Sequence, residues 1–268
     1  METVYWLEQS AAGVPESDEW MCSQELTRLC QLRIPKRRNE WRLGRWTAKI
    51  AFACASNWPF DFEHLSRIEV RAKESGAPEL RIDRELAPFA ISITHRNGLA
   101  ACAVAGSSVA VGCDLEWIES RSDAFIADYF TEREQTLIGQ TGEDDRNLVA
   151  IILWSAKEST LKALHEGLRL DTRSVVVGLP EGSDTLHSDQ TWHPLLVRNA
   201  NGAEYSGWWQ SSANCVRTIV TAPDCAAPVY VTPLISLRTA EAPQEASCER
   251  VARADNLQES DCTLHPAR

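Results

Sequence analysis

Val109-Ala110-Val111-Gly112-Cys113-Asp114-Leu115-Glu116 and, further on, Trp154-Ser155-Ala156-Lys157-Glu158-Ser159-Thr160-Leu161-Lys162-Ala163 are the stretches whose reading decides this chain. The first has the pattern of a β-strand. Alternate strand residues share a face, so Asp114 and Glu116 present two carboxylates to one side. Gly112 lies on the same side and, lacking a side chain, leaves room for a ligand to approach. Adjacent carboxylates repel unless a cation sits between them, and hard oxygens suit Mg²⁺. The second stretch is helical, with Trp154, Glu158 and Lys162 at i, i+4 and i+8 on one face. Glu158 offers a third oxygen ligand or a base, and Lys162 a cation for phosphate. Plain alternatives stand beside these readings: a solvated acidic strand end, and a Glu–Lys helix pair worth a few tenths of a kcal/mol.

Upstream, residues 89–105 read as two strands joined through Arg96-Asn97-Gly98, with Asn-Gly the hairpin signal. Thr94 and His95 close the first of these strands, where hydroxyl and imidazole can reach an anion. Val4 to Leu7 and Arg67 to Ala72 read as strands, and residues 74–78 as a turn. Helical spacing of Trp41, Ala48, Phe52 and Ala55 predicts a helix from Lys36 to Ser56 after a break at Pro35. Its Arg38, Arg42, Arg45 and Lys49 form a positive stripe, and Arg33, Lys36 and Arg37 extend the basic segment, in which Glu40 is the one acid. Clustered cations repel one another, which implies an anionic partner. Downstream, Thr131 and Glu134 spell a capping box. Residues 147–166 read as a long helix stopped by Gly167, and Val175 to Gly178 and Val216 to Thr221 as strands. Identity alone reveals no internal repeat. From residue 236 the chain turns polar and irregular, the composition of a disordered tail.

The 268 residues suffice for one large or two ordinary domains. A net charge of −11 argues against a general nucleic-acid or membrane binder. The nine cysteines include no C-x-x-C pair, a distribution that fits free thiols in a reducing cytoplasm rather than a zinc site or disulfide framework. The opening METVYWLEQS has early acid and no apolar core segment, so no secretory leader is expected. The apolar run from Leu148 to Trp154 is too short to cross a bilayer.

The order of these elements resembles the Sfp-type 4′-phosphopantetheinyl transferases. That family's pattern is a serine-histidine strand, G-x-D-x-E, F-x-x-x-E and W-x-x-K-E-x-x-x-K. Here it reads Thr94-His95, Gly112-x-Asp114-x-Glu116, Phe130-x-x-x-Glu134 and Trp154-x-x-Lys157-Glu158-x-x-x-Lys162, with Gly44-Arg45 in the basic helix matching a family G-R segment. The resemblance covers about residues 20 to 180. Thr94 stands where the family usually has serine, and Gly76-Ala77-Pro78 replaces Gly-Lys-Pro, losing a cation for which Arg71 or Lys73 can substitute.

The resemblance implies an α/β (α+β) fold of two similar half-domains in pseudo-twofold tandem, residues 1–108 and 109–235, followed by the 236–268 tail. It implies transfer of 4′-phosphopantetheine from coenzyme A to a serine of an apo acyl or peptidyl carrier protein, releasing 3′,5′-ADP. Asp114, Glu116 and Glu158 would hold Mg²⁺, and Glu158 and Lys162 would be catalytic. Arg28, Arg45, Arg71, Lys73, Thr94, His95 and Lys162 would bind coenzyme A. A cytoplasmic monomer is expected. The rivals are a non-catalytic carrier-binding module of the same fold and an unrelated Mg²⁺-dependent phosphotransferase. The first should lack an acidic ligand, and all three are present; the second should show a GxxxxGK[ST] loop, and none occurs.

Overall fold

The computed structural model describes residues 2–180, 191–212 and 214–232; the predicted 236–268 tail lies outside them. In chain order come β1 (Tyr5–Ser10), α1 (Ser23–Gln31), α2 (Pro35–Ser56), α3 (Phe62–Ser66), β2 (Ile68–Ala72), β3 (Pro78–Ile82), β4 (Glu85–Leu86), β5 (Phe89–Arg96) and β6 (Leu99–Gly106). Then follow β7 (Ala110–Trp117), α4 (Asp123–Tyr129), α5 (Glu132–Gln140), α6 (Glu143–Ala163), β8 (Val175–Gly178), β9 (His193–Asn199), β10 (Glu204–Ser212), β11 (Cys215–Ala222) and β12 (Val229–Tyr230). The fold is mixed α and β. Among the described residues one sheet runs β12-β1-β6-β5, a second β7-β11-β10-β9-β8, and a small third β2-β3-β4.

Local chemistry explains the elements. Pro35 opens α2 at a position that needs no amide donor, rather than only breaking what precedes it, and Asn57 caps its end in the left-handed region at φ 55°. Asn97 and Gly98 take φ 49° and 79°, the two-residue turn whose twist matches paired strands, so β5 and β6 form the expected hairpin. On β6 the faces alternate: Cys102 and Val104 pack into the cluster under α2, while Ala101, Ala103 and Ala105 join a cluster with Val111, Cys113 and Leu115 of β7 and Ile219 of β11. The two larger sheets meet through that second cluster. α6 lies on β7 and β11, and its helix begins and ends a turn earlier than predicted. The chain returns at its described end, where β12 pairs in parallel with β1.

Gly112 decides how closely α6 approaches β7. A Cβ there would lie 1.8 Å from the Ser159 carbonyl oxygen and 2.6 Å from the Ala163 nitrogen. This corrects the expectation that Gly112 clears space for a ligand: the helix backbone fills the gap.

A repeat invisible to overall identity is plain in the packing. Trp46-Thr47-Ala48-Lys49 in α2 and Trp154-Ser155-Ala156-Lys157 in α6 stand 108 residues apart (157 minus 49). Each lysine is fully buried. Lys49 meets Glu25 at 2.6 Å and donates to the carbonyls of Trp20 and Leu65. Lys157 meets Glu134 at 2.9 Å and donates to those of Thr172 and Val175. Each glutamate sits third in a helix capping box and accepts a strand amide, Glu25 from Val70 and Glu134 from Val177. Burial pulls both ammonium groups below the ordinary lysine range, and the partner carboxylates oppose that shift. The Glu134 capping box is therefore real, and Lys157 of the W-x-x-K-E motif is scaffold.

The same pair corrects the positive stripe. Lys49 is internal. Arg42 binds Asp18 and the carbonyls of Pro15 and Glu16, and Arg38 reaches Asp18 and the Leu29 carbonyl. That face of α2 meets the loop before α1 rather than solvent.

Removing one partner of a fully buried pair strands a charge. Lys157→Met is expected to lower unfolding free energy by about 3–5 kcal/mol, and joint replacement with Glu134→Gln, which removes the stranded charge but keeps an acceptor for the Val177 and Thr131 amides, to recover part of that loss. Urea denaturation of the three proteins measures both. Gly112→Ala is expected to cost at least about 1–3 kcal/mol in the same assay, because backbone would have to move.

Candidate active site

The site is built where β5 and β7 end beside the last turns of α6. Asp114 is its hub. One carboxylate oxygen accepts from Lys162 Nζ at 2.7 Å and from the Thr94 hydroxyl at 3.1 Å, and the other from the Ser155 hydroxyl at 2.9 Å. Lys162 also donates to the Cys113 carbonyl. Behind Asp114 the hydroxyls of Ser155, Thr218 and Ser159 form a chain of hydrogen bonds at 2.8 and 2.7 Å. All three are fully buried, so this wall cannot move without leaving polar atoms unpaired.

Glu116 lies two residues on, on the same strand face. It pairs with Arg96 and Arg121, and the nearby Trp154 indole favours its ionised form. Burial and then Asp114 raise its proton affinity above the ordinary carboxylate value. Glu158 is half-buried and has no hydrogen bond or ion pair to another described residue. Burial, followed by Asp114, likewise raises its pKa, and Lys162 partly offsets the effect. Burial disfavours the charge on Lys162, but Asp114, Cys113 and Glu158 together outweigh it and leave the ammonium above its usual range.

A cavity of about 510 Å³ collects Thr94, His95, Arg96, Asp114, Glu116 and Lys162, with Lys36 and Glu40 of α2 on its rim. Desolvation lowers the His95 pKa, opposed by Glu40 and aided by Lys162 and Arg45. A second cavity, of about 430 Å³, holds Arg28, Arg45 and Arg71 together with Trp41, Glu25 and Glu69. Arg45 stacks over the Trp41 ring at 4.7 Å, and its Nε is buried without a partner. A larger recess of about 620 Å³, on β9 and β10, contains none of these groups.

The structure thus brings Asp114, Glu116, Lys162, Thr94 and His95 to one cavity, and Arg28, Arg45 and Arg71 to another. Glu158 stands within electrostatic reach of Asp114 and Lys162. Thr94 departs from expectation in that its hydroxyl is spent on Asp114. Lys73 does not line the cavity that holds Arg71; it lies within electrostatic reach of Glu79 and His165. Sequence reasoning missed Ser155, Arg96 and Arg121. Ser155 lies inside a quoted motif and one turn before Ser159, a signal that was available; Arg121 carries none.

The donor set suits a hard divalent cation: carboxylate oxygens, one of them half-buried with no counter-charge of its own. Among the described residues no three such side chains converge tightly enough to enclose an ion, and Glu116 is held by its arginines.

Comparison with known proteins now bears on the site. Residues 110–210 match the model of the 4′-phosphopantetheinyl transferase superfamily, a span that contains β7, α6, Asp114, Glu116 and Glu158. The chain carries a domain of the 4′-phosphopantetheinyl transferase superfamily. Its class of activity is phosphopantetheine transfer. It is similar to the 4′-phosphopantetheinyl transferase HetI of Nostoc sp. (strain PCC 7120), 23% identical over 205 residues that cover 73% of this chain and 81% of that one. Among solved structures it is similar to a holo-(acyl-carrier-protein) synthase from Bacillus anthracis in complex with CoA (3′,5′-ADP), with TM-score 0.34, 20% identity, and 39% and 94% of the two chains covered. The Helicobacter pylori holo-[acyl-carrier-protein] synthase in complex with coenzyme A gives TM-score 0.31 and 16% identity, over 38% of this chain and 97% of that one. No described helix of this transferase is long and apolar enough to cross a membrane.

A carboxylate whose folded-state pKa is raised opposes folding when ionised. The cost is fully present above the folded pKa and vanishes as pH falls below the unfolded value, because the folded state then holds the proton at least as well. In chelator, Glu158→Gln is therefore expected to melt at a higher temperature than the parent at pH 7.5, with the gap closing toward pH 4. Thermal unfolding across that range reads the effect; a lower melting temperature at pH 7.5 contradicts it.

Proposed function

We propose that this protein moves the 4′-phosphopantetheine arm of coenzyme A onto a serine hydroxyl of an apo carrier protein and releases 3′,5′-ADP. The observation that carries this reading is Asp114, bound at once by Lys162, Thr94 and Ser155 in a cavity shared with Glu116 and His95. That wall combines acidic oxygens for a cation with a lysine for an anion, which is what a diphosphate ester needs at its reacting end. Asp114, Glu116 and Glu158 would hold Mg²⁺, which supplies neutralisation of charge developing on the phosphoryl oxygens.

The chain's own residues do the rest. Lys162 reaches from Asp114 into the cavity and holds the diphosphate, stabilising the 3′,5′-ADP leaving group. Glu158 accepts the serine proton as the hydroxyl oxygen attacks phosphorus, since it is the acid in the group with no counter-ion of its own. His95, kept largely neutral at pH 7 by desolvation, contributes a hydrogen bond rather than charge. The Arg28, Arg45 and Arg71 cavity receives the phosphorylated nucleotide end, where arginine forks match phosphate oxygens. Most of the rate gain comes from positioning and fixed charge.

The net charge of −11 would repel an acidic carrier, so docking falls to the exposed Arg33, Lys36 and Arg37 at the start of α2, with Lys36 on the rim of the Asp114 cavity. This corresponds to the division of labour implied by two half-domains meeting near residue 108.

Incubation with coenzyme A, Mg²⁺ and an apo carrier protein tests the assignment. The carrier is expected to gain the mass of one phosphopantetheine. Asp114→Ala should cut the rate by about 10²–10³-fold or more with the fold intact. Arg45→Ala should raise KM for coenzyme A by roughly 10- to 100-fold with a smaller change in kcat, because it removes charge-assisted hydrogen bonds. No mass gain with a panel of carriers, or full activity in Asp114→Ala, would remove the proposal.

A further inference from the structure

Glu116 is gripped from two directions. Arg96, the last residue of β5, pairs through Nη1 with Oε2, and Arg121, beyond β7, approaches the same oxygen at 3.4 Å. The arginines differ in what else they touch. The Arg121 guanidinium lies over the Phe125 ring at 5.2 Å and does not line the Asp114 cavity. Arg96 does line it, beside His95 and Lys162, and is shared with Glu119 at 3.4 Å. Arg121 is thus anchored on an aromatic ring, whereas Arg96 is held by carboxylates alone and opens onto the space where an anion would lie.

A divalent cation on either Glu116 oxygen lies a few ångströms from the guanidinium on Oε2, and two like charges that close repel strongly in a partly desolvated site. That repulsion drives off Arg96, the arginine without an aromatic anchor. The freed guanidinium has Glu119 on one side and the cavity on the other, and its planar fork fits phosphate oxygens as well as carboxylate. We propose that Arg96 is an exchange residue: it neutralises Glu116 until a divalent cation binds, then turns into the cavity and grips the diphosphate of coenzyme A. This rests on the assignment of Glu116 to the cation made under the proposed function. Cation and coenzyme A then favour each other's binding, and by linkage the coupling is equal in both directions.

Calorimetric titration separates the parts, with Mn²⁺ as the probe cation and coenzyme A as the second ligand, in the full-length protein and in Arg96→Gln, Arg121→Gln and Asp114→Asn. Arg96→Gln is expected to bind Mn²⁺ alone roughly five- to tenfold more tightly than the parent, and to lose the gain in coenzyme A affinity that Mn²⁺ confers on the parent. Arg121→Gln is expected to keep that gain. Equal Mn²⁺ affinity in the parent and Arg96→Gln, or an Arg121→Gln protein that loses the gain as fully as Arg96→Gln, overturns the exchange role and leaves the metal assignment standing. Mn²⁺ binding unchanged by Asp114→Asn overturns the metal assignment and the exchange role with it.

Discussion

The contact on which the rest depends is the approach of α6 to β7 at Gly112. Only a residue without a Cβ admits the Ser159 carbonyl to that distance. With the helix seated there, Ser155 and Lys162 fall on either side of Asp114 and close hydrogen bonds to both its oxygens. Set the helix back by the width of a methyl group and those bonds lengthen beyond use. Asp114 would then be a buried acid without its donors, and the cavity wall would lose its cation. A packing contact between backbones thus fixes the geometry of a charged site, and it sits within the same five-residue strand segment as the acids it serves.

Rigidity behind that contact comes from duplicated hardware. The Glu25–Lys49 and Glu134–Lys157 pairs each tie a capping box, a long helix and a strand amide through one carboxylate. Fully buried ion pairs add little net stability over apolar residues, but they punish misplacement severely because any shift strands a charge. The two copies diverge directly afterwards. Ile50 follows Lys49 and joins the core, whereas Glu158 follows Lys157 and faces the site. One helix carries the buried pair alone, and the other sets a half-buried acid directly beside it.

Charge is apportioned in the same spirit. An acidic molecule overall, the protein gathers cations in two cavities and at the start of α2. Several basic residues that look available in one dimension are consumed internally: Lys49 by Glu25, Arg42 by Asp18, Arg217 by Glu8 across the two larger sheets. Arg45 is the exception on its helix face, with a buried Nε and no acceptor, and it opens into a pocket that already contains two further arginines.

Much of this was legible in one dimension because the signals are local. Strand alternation put Asp114 and Glu116 on one face, the Asn97-Gly98 turn set the β5–β6 hairpin, and helical spacing aligned Glu158 with Lys162. Backbone periodicity is a property of a few neighbouring residues, so composition and order suffice to read it. The strands β9 and β10 escaped notice because their alternation is interrupted by Pro194 and Gly207. What the folded chain alone decided was which partner each charge found. Lys49 and Lys162 are both lysines on amphipathic helices, yet one is locked in the core and the other lines a cavity. Thr94 turned to Asp114, and Gly112 to a helix rather than a ligand. Those outcomes depend on distances between segments about twenty to fifty residues apart, and electrostatic and steric energies change over single ångströms that no pattern along the chain records.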